Sequence, residues 1–165
     1  MGIDHQIGPP DTPQHNGVAE RFNRTLLMKT RALLFDSGLP QYMWDLAVRF
    51  AVFIYNRTPH RSNQFEIPLR KFAPHKPCNS GQIKRFGSLA YMKTPRQFDS
   101  QKCSAKAMRT FLVGFLDTGY LLYCNKRKIF YQSHNVRFNE ALVYKNIETK
   151  ISANTSDDLL SLIHI

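Results

Sequence analysis

The chain has 165 residues, 42% of them hydrophobic, including 12 Phe, 7 Tyr and one Trp, which is enough apolar material for a real core and argues against a wholly disordered chain. An excess of 23 Lys and Arg over 12 Asp and Glu leaves a net charge of +11 and points to a polyanionic partner, nucleic acid foremost. Three widely spaced cysteines, Cys78, Cys103 and Cys124, imply no disulfide framework, and the longest apolar run, Phe50 to Tyr55, is too short to cross a bilayer; with no leader after Met1, the expectation is a soluble, intracellular protein.

Residues 7 to 16, IGPPDTPQHN, read as an extended loop leading to a helix start. From Gly17 the pattern becomes helical: Ala19, Phe22, Leu26 and Leu33 share a face, Asn16 can cap, and Gly38 and Pro40 stop the helix after Ser37. A second helix, roughly Gln41 to Arg57, is apolar over most of its circumference through Met43, Trp44, Ala47, Phe50, Ala51 and Ile54. Such a helix needs partners on several sides. Thr58 to Ser62 break the pattern, Pro68 to Phe72 suit a single helical turn, and Pro74 to Gly81 read as a linker. His75 and Cys78 have the spacing of half a zinc site, but no second half accompanies them.

After Lys84 the helical period gives way to short strands: Ser88 to Lys93, Arg109 to Phe115, Tyr120 to Cys124, and Lys128 to Phe138 with a bend, with a hairpin turn at Asn125 to Arg127. This predicts an α+β chain, helices first and then a small β-barrel or rolled sheet. Residues 84 to 137 carry 11 basic and 2 acidic side chains, so the charge excess concentrates in this segment. Lys84, Arg85, Lys93, Arg96, Lys102, Lys106 and Arg109 surround Phe86, Tyr91 and Phe98, while Lys126, Arg127 and Lys128 form the hairpin tip. The cations are candidates for phosphate contact with little sequence preference; strand alternation assigns most of the aromatics to the core.

Glu20 taken alone is an ordinary surface carboxylate, placed in the first helical turn and four residues before Arg24. Its surroundings carry a resemblance. GIDHQ at 2 to 6, PDTPQHNGVAERFNRTLL at 10 to 27, LPQYMWDLAVRFAVFIYNRTP at 39 to 59, IKRFGSLAYM at 83 to 92 and FLVGFLDTGYLLY at 111 to 123 follow one another in this order. The succession resembles the integrase region of Copia-type long-terminal-repeat retrotransposon polyproteins.

The resemblance implies the C-terminal helical part of an RNase H-like integrase core in residues 1–76, a linker in 77–84 and an SH3-like β domain in 85–140; the end of the chain, polar and then abruptly apolar, is expected to be a disordered tail, in 141–165. The resemblance makes Glu20 the last of three catalytic, metal-binding carboxylates. Asn16, Asn23 and Arg24 become candidate DNA contacts beside Lys84, Arg85, Lys93, Lys102, Lys106, Lys126, Arg127 and Lys128. Magnesium or manganese serves the full-length enzyme, whereas this chain, with Asp4 and Asp11 outside the family's catalytic positions, is expected to bind none and to be inactive alone. The helices are expected to lean on a sheet encoded upstream, leaving Phe22, Leu26, Trp44 and Phe50 exposed or repacked, with the barrel able to fold by itself. Expected partners are element and target DNA, the N-terminal part of the integrase and further copies of the chain, in the nucleus after a cytoplasmic particle stage and without a membrane. The alternatives are a non-catalytic nucleic-acid-binding module and a decayed retrotransposon relic.

Overall fold

The stripe of residues 26, 30, 33, 34 and 37 repeats at helical spacing and gives the first helix its inner face. In the computed structural model, which describes residues 17–76, 78, 81, 83–95 and 106–147, this helix is α1 (Gly17–Ser37), with Leu26, Thr30 and Ser37 buried. The Thr30 hydroxyl donates to the Leu26 carbonyl at 2.8 Å, so its burial leaves no polar group unsatisfied. Ala19 and Phe22, expected on this face, are exposed, although Phe22 meets Tyr55 edge-on at 5.1 Å. The Gly38 amide closes the helix on the Leu34 carbonyl at 2.9 Å. Asn16, Arg96, Phe98, Lys102, Cys103 and the chain after residue 147 lie outside the described residues.

A 3-10 turn at Gln41–Met43 runs into α2 (Trp44–Tyr55). Met43, Ala47, Phe50 and Ala51 are buried at 3–4 residue spacing, and Trp44 stays 58% exposed. After a second 3-10 turn at Arg61–Asn63 comes α3 (Pro68–Phe72), opened by the residue type best suited to a first helical position. Five antiparallel strands follow: β1 (Ser88–Lys93), β2 (Ala107–Leu116), β3 (Gly119–Cys124), β4 (Ile129–Ser133) and β5 (Val136–Val143), in the order β4-β3-β2-β1-β5. The last expected strand divides into β4 and β5 at His134 and Asn135. The sheet is rolled: Tyr120 on β3 and Phe138 on β5 bring their rings within 4.8 Å, whereas strands three places apart in a flat sheet would be about 14 Å apart.

Helices and sheet share one core, in which Leu39, Met43, Ala47 and Phe50 join Phe86, Leu89, Phe111, Val113 and Tyr123. The Phe50 ring lies 4.9 Å from both Phe86 and Phe115, and Phe53 stacks on Phe115 at 4.1 Å. The expectation that α2 would want for a sheet is therefore corrected: β2 supplies one, and Leu26 and Phe50 are 8% and 1% exposed. The physical reason lies in β2, where Thr110 through Val113 are all buried, so both faces of the strand need cover and α2 covers one. The packed unit also continues past residue 140. Val143, Tyr144 and Ile147 are buried, with Tyr144 set edge-on to Phe111 at 5.0 Å.

Two glycines make the junction between helices and sheet possible. Gly87 has φ +68°, and a Cβ there would overlap the Ser37 side chain; a Cβ on Gly38, at φ +70°, would meet the Lys145 Cβ at 2.5 Å. The Gly87 amide donates to the Leu112 carbonyl at 2.7 Å, and its own carbonyl accepts from the Tyr144 amide at 3.1 Å. Gly87→Ala combines the left-handed cost of about 1–2 kcal/mol with the clash against Ser37, so urea unfolding is expected to show a loss above about 2 kcal/mol. Gly17→Ala, with nothing within 4 Å of the new methyl, is expected to be neutral or stabilising by up to about 1 kcal/mol.

Candidate nucleic-acid interface

Cross-strand partners in an antiparallel sheet point to the same face, as do residues two apart along a strand. Tyr91 on β1 pairs with Arg109 on β2 and, on its other side, with Arg137 on β5. Lys93 shares the face two residues further along β1. The β2–β3 register, Phe111 opposite Tyr123, continued by two residues brings Arg109 level with Asn125. The turn carrying Lys126, Arg127 and Lys128 therefore lies at the same end of the sheet. A band of cations thus crosses the sheet, and Tyr91, 43% exposed, sits in the middle of it.

Among the described residues the band meets no opposing charge. Strands β1 to β4 contain no Asp or Glu, and Asp117 lies beyond the far end of β2. Lys93, Arg109, Arg137 and Lys126 are exposed, and among the described residues their side chains enter no ion pair or ring contact. Lys128, at φ 57°, donates to the Asn125 side-chain oxygen at 2.7 Å and so stiffens the turn. Lys106 stands just before β2, where its carbonyl accepts from the Thr94 amide at 2.9 Å.

Lys84 and Arg85 have a different environment. Arg85 grips Asp36 at the end of α1 through Nε and Nη2, at 2.9 and 2.7 Å, and donates through Nη1 to the Glu140 carbonyl at 3.3 Å. Its backbone amide donates to the Glu140 carboxylate at 3.1 Å, which Lys84 also meets at 3.0 Å. The hydrogen bond from Arg85 holds the Asp36 carboxyl below its ordinary pKa, against a smaller opposing effect of burial. These two cations tie α1, the strand entry and β5 together.

Glu20, Asn23 and Arg24 are exposed on the first turns of α1. Glu20 and Arg24 form no ion pair with each other, contrary to what their spacing suggested. Glu20 lies about 25 Å along the helix from Ser37 at the sheet junction, at 1.5 Å per residue, so the structure does not bring it to the cationic band. No three His, Cys, Asp or Glu side chains converge among the described residues; Glu20 alone does not fit a metal pair.

A cleft of about 770 Å³ opens between the end of α2 and the β2–β3 turn, lined by Phe53, Arg57, Phe115, Asp117, Tyr120 and His134 among others. Its central cation is committed: the Arg57 guanidinium sits 3.5 Å above the Phe53 ring and donates to the Phe53 carbonyl at 3.4 Å. Burial lowers the Arg57 pKa, and Asp117 acts in the opposite direction. With that carboxylate in its wall, the cleft suits a polyanion less well than the sheet band does.

Arg137 and the central place of Tyr91 escaped the sequence reading. The clue was the parity of Tyr91 and Lys93 within β1, but it acquires meaning only once β5 is known to pair beside β1.

Residues 88–152 match the family described as the retroviral polymerase SH3-like domain. The chain is 37% identical over 144 residues to a retrovirus-related Pol polyprotein from transposon TNT 1-94 of Nicotiana tabacum, covering 86% of this chain and 11% of that protein. It is 31% and 30% identical over 141 residues to the Pol polyproteins of transposons RE1 and RE2 of Arabidopsis thaliana, in each case covering 84% of this chain and 10% of the relative. The chain thus spans about a tenth of the length of these curated relatives. No solved structure matches it. The rolled sheet, helices in front and aligned relatives agree: the chain belongs with the Copia-type retrovirus-related Pol polyproteins and carries their SH3-like domain.

Proposed function

We propose that this chain is the distal part of a retrotransposon integrase region, in which the SH3-like sheet holds DNA by its phosphates and α1 to α3 are the last helices of an RNase H-like core. The observation that carries this reading is the cationic band of Lys93, Arg109, Arg137 and Lys126, which meets no ion-pair partner among the described residues. Cations kept unpaired on one face repel one another, and a phosphate backbone relieves that repulsion while releasing counterions. The exposed apolar side chains of α1 support the second half of the reading. Val18, Leu27, Met28 and Phe35 are exposed, Phe35 at 87%, which suits a helix that docks on more protein in the longer polyprotein.

In that setting Glu20 is one of three carboxylates that serve strand transfer, and Asn23 and Arg24, one turn along, contact DNA or position it. The chain contributes this single carboxylate, and magnesium or manganese belongs to the assembled enzyme. The partners are then element ends, target DNA, the preceding part of the integrase and further copies of it, acting in the nucleus.

Two measurements test the proposal. Duplex affinity of the chain is expected to fall with salt at a log–log slope of about −5 if six cations contact phosphates, and replacing Lys126, Arg127 and Lys128 by Gln is expected to make it shallower by about 3. Binding indifferent to salt would refute phosphate contact. In a longer polyprotein segment that performs strand transfer, Glu20→Gln is expected to lower the rate at least about 100-fold while duplex affinity stays within about twofold; unchanged strand transfer would remove Glu20 from the site.

A further inference from the structure

Tyr91 is poorly explained by phosphate binding alone. A sheet that only grips a backbone needs cations, and an aromatic ring left 43% exposed on a central strand gains nothing from a duplex, whose bases are stacked inside. Neither neighbouring guanidinium caps it. The cation–ring contacts among the described residues are Arg57 on Phe53 and Lys145 on Phe35, and Tyr91 takes part in none of the ring pairs, although Phe22, Phe53, Phe115 and Tyr123 all do. Among the described residues nothing covers the ring, and the β1 register fixes a cation on each side of it: Arg109 one strand away and Arg137 one strand away in the other direction. At the usual strand spacing the two backbones lie about 10 Å apart, with Lys93 one step further along the strand.

We infer that this face binds an unpaired stretch of DNA, with a base stacked on Tyr91 and the flanking phosphates held by Arg109, Arg137 and Lys93. The inference rests on the DNA-binding reading above and narrows it to a substrate form. An aromatic ring between cations suits a single strand because every base offers a π face, whatever its identity, and the backbone on either side of that base offers the charge. The absence of carboxylates from β1 to β4 leaves nothing on those strands to repel it. Stacking without hydrogen-bond readout makes the site tolerant of sequence. It would suit DNA ends or junctions whose bases have come apart.

The test uses the whole chain and fluorescence anisotropy with a 12-nucleotide oligo-dT, a 12-base-pair duplex and the matching oligo-U. Tyr91→Ala is expected to weaken oligo-dT binding at least about fivefold and to change duplex binding less than twofold, while Tyr91→Phe keeps oligo-dT affinity within about twofold. Because Tyr91 is on the surface, unchanged thermal unfolding of both variants serves as the folding control. Photocrosslinking of a bromouracil-substituted oligonucleotide, mapped by mass spectrometry, is expected to label Tyr91. If Tyr91→Ala binds oligo-dT like the parent chain, or loses strand and duplex binding equally, the stacking site is overturned. Should Arg109→Gln and Arg137→Gln still weaken the duplex in that case, phosphate binding survives without it; absence of binding to either DNA defeats both. Oligo-U bound more than tenfold tighter than oligo-dT would overturn the assignment to DNA.

Discussion

Everything in this molecule depends on how closely the backbone of Gly87 approaches the end of α1. There is no room for a β-carbon between Gly87 and Ser37, and none between Gly38 and Lys145. Three chain segments far apart in sequence therefore meet at van der Waals distance: the helix end, the entry to β1 and the turn after β5. The hydrogen bonds of Gly87 to Leu112 and Tyr144 lie inside this contact, and the Arg85 links to Asp36 and Glu140 lie on its rim. The rim pairs are partly exposed and individually worth at most about 1 kcal/mol. The buried approach and the Phe50, Phe86 and Phe115 packing beside it carry more, since truncating one such ring typically costs about 3–5 kcal/mol.

That junction has a functional consequence. It makes the helices and the SH3-like sheet one body, with Glu20 at one end of a 21-residue helix and the cationic band at the other side of the joint. The cationic face of the sheet is thereby held at a set distance from Glu20. The division of labour among cations follows from the same geometry. Lys84 and Arg85 lie where carboxylates of α1 and β5 come within reach and are spent on cohesion. Lys93 and Arg109 lie on strands without carboxylates, and the one carboxylate on the strand of Arg137, Glu140, is engaged by Lys84 and Arg85. Charge counts along the chain treat both groups alike.

Local chemistry was readable from the sequence because it needs only neighbours. The helix end at Ser37 followed from Gly38 and Pro40, β1 from Ser88 to Lys93, and the hairpin turn at residues 125–127 from its polar composition. Glu20 was legible only through the motif around it, because an exposed helix carboxylate has no distinguishing physical feature. What stayed hidden was long-range: α2 resting on β2, β5 pairing with β1 rather than with β4, and Arg85 reaching Asp36 across 49 residues. Each depends on which segments the junction brings together. The same reason explains why alternation, which assigned most of the aromatics to the core, could not single out Tyr91 as an exposed one.

The central claim is that α2 and the sheet unfold as a unit, and native-state hydrogen exchange tests it most directly. The amides of Ala47 to Phe50 in α2 and of Phe111 to Val113 in β2 should share one opening free energy, and Phe50→Ala should lower both by the same amount. Protection of β2 that persists while α2 loses its own would contradict the account and restore an independently folding sheet.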